Sequence, residues 1–188
     1  MSKRMSISLF MLLFIVPITG FIFLLYYNSL VSMDEGVKSA FSNIDTLLQK
    51  RNDLIPNLVE TVKGYAGHEK EIFERIADAR SRLAGAKTIP DKIATANEFS
   101  SVLSRLLMVV ENYPNLKADA TFIKLMDELQ NIENQISRYR QIYNDKVKKY
   151  NVSIRQFPES LIASMFHFEE AKYFEAPESA KEVPKVQF

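Results

Sequence analysis

The sequence predicts an all-α protein: an elongated antiparallel bundle of about four helices behind a single N-terminal transmembrane helix. Three observations predict it. Residues 7–27 carry no charge. Beyond them, apolar residues recur at steps of three and four, the mark of one buried helical face. The 188 residues include only five Gly and no Cys. Few Gly argue against many tight turns and phosphate-cradling loops. The lack of Cys excludes disulfides, thiolate catalysis and Cys-ligated zinc.

The uncharged run reads ISLFMLLFIVPITGFIFLLYY. As a helix it spans roughly 30 Å, the thickness of a hydrocarbon core. A signal peptide has a shorter apolar region and a small-residue cleavage site. This run is longer and ends in Phe and Tyr, so an uncleaved anchor is expected. Tyr26 and Tyr27 suit the membrane–water boundary. Pro17 and Gly20 are tolerable in a membrane helix. The expected organisation is residues 1–27 as flank and anchor, 28–157 as helical bundle, and 158–188 as a tail with a disordered end.

Lys3 and Arg4 precede the span; the other 22 bases and all 23 acids follow it, a net charge of −1. Such a domain has no electrostatic footprint for nucleic acid. The basic flank against Asp34, Glu35 and Lys38 favours a cytoplasmic amino terminus and an extracytoplasmic bundle.

After the anchor, Leu30, Met33, Val37, Phe41, Ile44, Leu47 and Leu48 start an apolar stripe. It continues through Leu54, Leu58, Val62 and Tyr65, then Ile72, Ile76, Ala79 and Leu83. The join at Asn28–Leu30 has no Gly or Pro, so the span is expected to pass into the first bundle helix. Pro56 interrupts this text. Two readings fit: a new helix capped by Asp53, or one helix that continues with a bend. The unbroken register favours the bend, with the true turn at Gly64 and Gly67.

Gly85 then stops a helix, and Thr88 with Pro90 and Asp91 starts another. Ile93, Ala96, Ser100, Leu103, Leu107 and Val110 are its expected face. Pro114 breaks it, and Asp119 caps the last helix. That helix carries Phe122, Leu125, Leu129, Ile132, Ile136, Tyr139, Tyr143, Val147, Tyr150 and Ile154 over about 37 residues, roughly 55 Å. It needs neighbours alongside to be stable. From Pro158 no period holds. A partly docked extended segment is expected, held through Phe166, Phe168, Tyr173 and Phe174, because those rings are costly to leave wet.

No pattern for chemistry emerges. His68 is followed by Glu69, but position 72 is Ile, so H-E-x-x-H is absent. Tyr65 and Ser164 stand three residues before the two histidines, which excludes the Glu-x-x-His pairs of di-iron bundles. No G-x-S-x-G, S-x-x-K, Walker or Rossmann pattern occurs. No cofactor or metal is expected. The N-V-S triplet at Asn151 falls inside a helix and reads as chance.

The polar and proline-bearing segments are more distinctive. The words are YNSLV after the anchor, RNDLIPNLVETVKGY with HEKE behind it, ENYPNLKA, the Tyr143-Asn144 and Tyr150-Asn151 pair, FP at Phe157, and YFEAPE. Together they resemble the LemA family of bacterial membrane proteins, over roughly residues 27–180. The resemblance implies one N-terminal membrane helix and a helical bundle, with no established enzymatic activity. One branch of the family takes part in building magnetosome membranes. Others look like partners of membrane-associated proteases or envelope proteins. The family is sometimes described with its bundle in the cytoplasm, opposite to the charge reading. His167 stands where the family commonly has Gly.

The leading functional expectation is a non-enzymatic, membrane-anchored interaction or scaffold protein of the bacterial inner membrane. Its partners would be the bilayer, through residues 7–27, envelope proteins, and a second copy of itself. The residues expected to make contacts are the non-core ones of the family words: Arg51, Asn52, Asp53, Pro56 and Asn57, with Glu111, Asn112, Tyr113, Pro114 and Asn115. The competing role for them is structural, since Asn and Asp also cap helices and fill turns. The second expectation is a small-ligand sensor with a groove among Tyr65, Tyr139, Tyr143 and Tyr150.

Overall fold

The computed structural model describes the backbone of residues 2–175 and the side chains of residues 14–175. The tail end expected to be disordered, residues 176–188, lies outside the described residues. The described chain is helical, in the order α1 (Ser2–Lys63), α2 (Lys70–Gly85), α3 (Ile89–Val110), α4 (Pro114–Lys117), α5 (Ala120–Arg155) and α6 (Glu159–Met165). It forms two compact units: Met1–Ser39 with Asp145–Ala171, and Ala40–Asn144 with Lys172–Phe188.

The larger unit is a four-helix bundle. Contacts Phe41–Tyr143, Arg51–Glu133 and Tyr65–Asp119 run α1 antiparallel to α5. Lys92 pairs with Asp45, and Arg51 reaches Ala96 and Ser100, so α3 runs parallel to α1. α2 returns between them and pairs with α3 through Arg82–Glu98. The core is built largely from the expected stripes, with Ile44, Leu58, Ile76, Ala96 and Ile136 almost wholly buried.

α1 continues through Pro56 without a break. An interior proline costs about 3 kcal/mol, from a lost donor and a ring clash with the Asn52 carbonyl. Leu54, Ile55, Leu58 and Val62, all buried around it, each stabilise by about 1.5–3 kcal/mol. Packing therefore outweighs the local penalty. The turn falls at residues 64–69, where Gly64 and Gly67 stand, closed by Ala66 N–H to the Val62 carbonyl at 2.8 Å.

Thr88 caps α3 as expected, its hydroxyl accepting from the Asp91 N–H at 3.2 Å. The expected face of α3 is corrected in two places: Phe99 and Leu106 are buried, while Ser100 and Leu107 are only half-buried. Asp119 caps α5, accepting from the N–H groups of Thr121 and Phe122, both at 2.9 Å. Tyr65 leaves the expected stripe and is exposed at the turn.

The smaller unit brings the first part of α1 together with the end of α5 and α6. Leu30, Val37, Val147, Tyr150, Ile154, Ile162 and Ala163 form its core. Phe14, Val16, Ile18, Phe21, Leu24 and Leu25 of α1 stay exposed, as an apolar helix made for lipid does. α3 is also long and apolar enough to cross a membrane. Its apolar face is used inside the larger unit, which makes it a core helix.

The expectation of an extended tail from Pro158 is corrected. Residues 159–165 form α6, too short for a period to register in sequence. α6 closes with the Phe168 N–H on the Ala163 carbonyl at 2.9 Å, and His167 holds φ 57° between them. This is the left-handed closure that glycine normally provides. Of the rings expected to dock, Phe174 is buried, Phe168 is half-buried, and Phe166 and Tyr173 stay largely exposed.

Candidate functional site

The expected contact residues fall in two places in the larger unit. The first is the middle of α1, where one expectation is overturned. Arg51 was expected outside the core; it is fully buried. The stripe steps from Leu48 to Ile55, and Arg51 fills the position between them. A guanidinium there must find acceptors. Its Nη1 donates to Glu133 Oε1 at 2.7 Å and to Ser100 Oγ at 3.0 Å. Its Nη2 donates to the Ala96 carbonyl at 3.4 Å, and the group lies 4.9 Å from the Phe99 ring centre. Burial, then the Arg51 charge, lowers the Arg140 guanidinium from its ordinary value to about 10, against the pull of Glu133. The Arg140 guanidinium stacks 4.1 Å from the Phe174 ring centre.

The neighbours of Arg51 face two clefts. Asn52 lines a cleft of about 270 Å³ with Asp45, Gln49, Leu83 and Lys92. The Asn52 Oδ1 is buried without a hydrogen-bond partner. Asp53 stands on the ridge and lines both clefts. Asn57 lines the second, an open groove with Lys50, Glu128, Asn131 and Gln135 above Leu47, Leu54 and Ile132. Pro56 is half-buried.

The second place is the end of the bundle. Pro114 begins the single turn α4, and Glu111 pairs with Lys117 at 2.5 Å. Asn112 and Asn115 are exposed. Tyr113 is half-buried, and its hydroxyl donates to Glu69 Oε1 at 3.3 Å. Burial first, then the Glu69 charge, raises the Tyr113 hydroxyl above its ordinary value. Beside it the Tyr65 hydroxyl donates to Asp119 Oδ2 at 3.0 Å, which raises Tyr65. Asp119 is lowered, chiefly by the Phe122 N–H. HEKE and ENYPNLKA thus meet across two turns and fasten them together.

Two residues outside the expected set organise the tail. In the larger unit, Asn144 donates to the Phe174 carbonyl at 3.0 Å and accepts the Phe174 N–H at 2.8 Å. The amide behaves as a neighbouring strand would. Tyr143 adds a hydroxyl bond to the Lys172 carbonyl at 2.7 Å, and Asn97 reaches the Glu175 carbonyl. In the smaller unit, Asn151 makes the same two-way clamp on Ala171, both bonds at 2.9 Å. The repeated Tyr-Asn was the visible signal. Tyr143 and Tyr65 spend their hydroxyls on these internal bonds, which weighs against a tyrosine-lined ligand groove.

An apolar N-terminal helix continuous with a four-helix bundle, its tail held by asparagine clamps, defines a membrane-associated helical protein. A sequence model of the LemA family matches residues 40–188, and the chain belongs to that family. It is 26% identical to magnetosome protein MamQ 2 of Paramagnetospirillum magneticum, covering 92% of this chain and 74% of that protein. It is also 26% identical to MamQ of Magnetospirillum gryphiswaldense, over 91% and 73% of the two chains. Protein LemA of Metamycoplasma hominis is 24% identical over 90% and 79%.

Proposed function

We propose that this LemA-family protein is a non-enzymatic scaffold of the bacterial inner membrane, held by residues 7–27 and binding envelope proteins through its bundle. The observation that carries the reading is the open groove between α1 and α5. Lys50, Asp53, Asn57, Glu128, Asn131 and Gln135 rim it above an apolar floor. A polar rim around an apolar floor is the ordinary anatomy of a protein interface. The MamQ relatives are magnetosome proteins by name, which fits work at a membrane. To test it, a photoreactive amino acid is placed at Asn57 or Gln135 and cells are irradiated. The expected result is a discrete adduct with another protein that Asp53→Lys weakens. Adducts absent at both positions would sink the scaffold reading.

We place the bundle outside the cytoplasm. Lys3, Arg4 and the amino terminus precede the span, while Lys38 beyond it lies 2.8 Å from both Asp34 and Glu35. Protease added outside intact spheroplasts should remove the bundle while a cytosolic marker survives; a protected bundle reverses the orientation.

A small-ligand module is the second reading, and the cleft at Asn52 favours it. Asn52 lines that cleft, and its buried Oδ1 has no hydrogen-bond partner. Native mass spectrometry of gently extracted protein should then show a fixed added mass that Asn52→Leu removes. A clean apo mass counts against it.

A further inference from the structure

In the smaller unit, α6 and its flanks carry large apolar side chains that the fold leaves open. Phe157 is 81% exposed, Leu161 61%, Met165 64% and Phe166 45%. Leu161 and Met165 are four residues apart and share one face of α6, while Ile162 and Ala163 between them are buried. A short helix with one buried and one bare apolar face needs something to cover the second.

The location says what covers it. The Phe166 ring lies 5.9 Å from Phe23 and 4.7 Å from Tyr27, centre to centre. Both partners belong to the last turns of the apolar segment of α1. Phe166 therefore stands beside the anchor at the depth where the hydrocarbon core ends. Five residues of helix cover only about 7.5 Å, so Leu161 and Met165 lie within roughly that distance of Phe166 along α6. The headgroup layer on one side of a bilayer is of similar thickness, about 5–7 Å. At that depth bare apolar rings and methionines meet lipid, as interfacial helices do.

We infer that α6 and Phe157 form a second membrane contact, an apolar wedge seated in the headgroup–acyl boundary of the leaflet from which α1 emerges. The inference rests on the anchor reading of residues 7–27. The occupant is neutral lipid. Glu159, Glu169 and Glu170 flank these residues in sequence, and Arg155 is 3.5 Å from Glu170. Among the described residues, 156–171 include no Lys or Arg to select anionic lipid.

The chain has no Cys, so single-Cys variants give unambiguous labels. Leu161→Cys, Phe21→Cys in the anchor and Ser81→Cys on α2 are each labelled with an environment-sensitive fluorophore. The full-length chain is reconstituted in phosphatidylcholine vesicles. The label at 161 should show blue-shifted emission, quenching by nitroxide lipids and protection from aqueous iodide. The label at 81 should show the reverse, and the label at 21 should be quenched by lipid alone. If 161 behaves like 81 while 21 is quenched by lipid, the wedge is wrong and the anchor stands. If 161 is shielded from both quenchers and crosslinks to a second copy, the face is a protein contact and the inference falls. If 21 also escapes lipid quenching, the anchor reading fails and the wedge with it.

Discussion

Arg51 and Glu133 should respond unequally to removal, and the inequality tests the polar core. Arg51 is fully buried, while the Glu133 side chain is 34% exposed. Removing Glu133 strands a guanidinium in the interior with only Ser100 and the Ala96 carbonyl as acceptors, and Arg140 adds a like charge nearby. At a charge separation near 4 Å and an effective dielectric of 20, the lost attraction is about 4 kcal/mol. This agrees with about 3–5 kcal/mol for breaking a buried pair from one side. Replacing Arg51 with Met is milder. The aliphatic stem is retained, Glu133 can turn to water, and the repulsion with Arg140 disappears. That change should cost about 1–2 kcal/mol. Thermal unfolding of detergent-solubilised full-length chain, followed by circular dichroism, reads the difference. At about 2–4 °C per kcal/mol for a chain of this size, Glu133→Ala lowers Tm by about 8–16 °C. Arg51→Met lowers it by about 2–8 °C, and the double variant stays near Arg51→Met. Equal losses, or a larger loss for Arg51→Met, would show that Glu133 does not hold the buried charge.

Asn144→Ala leaves the Phe174 N–H and carbonyl without partners, costs about 1–3 kcal/mol, and should speed tryptic cleavage after Lys172; an unchanged rate refutes the clamp. His167→Gly should hold or raise Tm, because the left-handed conformation suits Gly. His167→Val should lower it by an amount on the order of 1–2 kcal/mol, and similar melts for the two would remove the strain argument. Burial pushes the Tyr143 hydroxyl up to about 12, above its unfolded value. Its contribution is complete below pH 10 and is lost as pH rises through about 12. Arg140, lowered to about 10, acts in the opposite sense over the same range. The Tyr143→Phe comparison isolates the tyrosine: the variant should lose less Tm than the parent chain between pH 9 and about 11.5.

The repeating apolar positions made the helices, their order and most caps legible. Thr88, Asp119 and the turn at Gly64–Gly67 needed only local chemistry. What stayed hidden depended on partners distant in sequence. Arg51 looked like a surface residue because its type is polar; its place in the stripe, seven residues of apolar spacing with a gap at the centre, said core. The same applies to α3, where Phe99 and Leu106 displaced Ser100 and Leu107. There the side chains of α1 and α5 choose the face, and Ser100 turns to receive Arg51. Asn151 matched a glycosylation triplet by letters, while its amide faces the Ala171 backbone and is buried.

Distinctive words in a helical sequence invite a reading as contact surface, and here most of them fasten the chain to itself. Arg51 joins α1 to α3 and α5. Tyr113 and Tyr65 tie one pair of turns together. Asn144 and Asn151 each fix a backbone residue of the tail. Where such a bond is at least partly buried, as at Arg51, Tyr113, Asn144 and Asn151, the residue is poorly placed to bind a partner, because release would leave a desolvated polar group unpaired. The contact surface is better sought in what remains uncommitted and exposed: Asp53 and Asn57 beside the groove, and Asn112 and Asn115 at the end of the bundle. Substitutions at these four should alter partner capture with little change in Tm, whereas Arg51, Tyr113 and Asn144 should change Tm first. Partner loss at Asn57 or Asn112 only in step with unfolding would erase the distinction and leave the whole motif set to the fold.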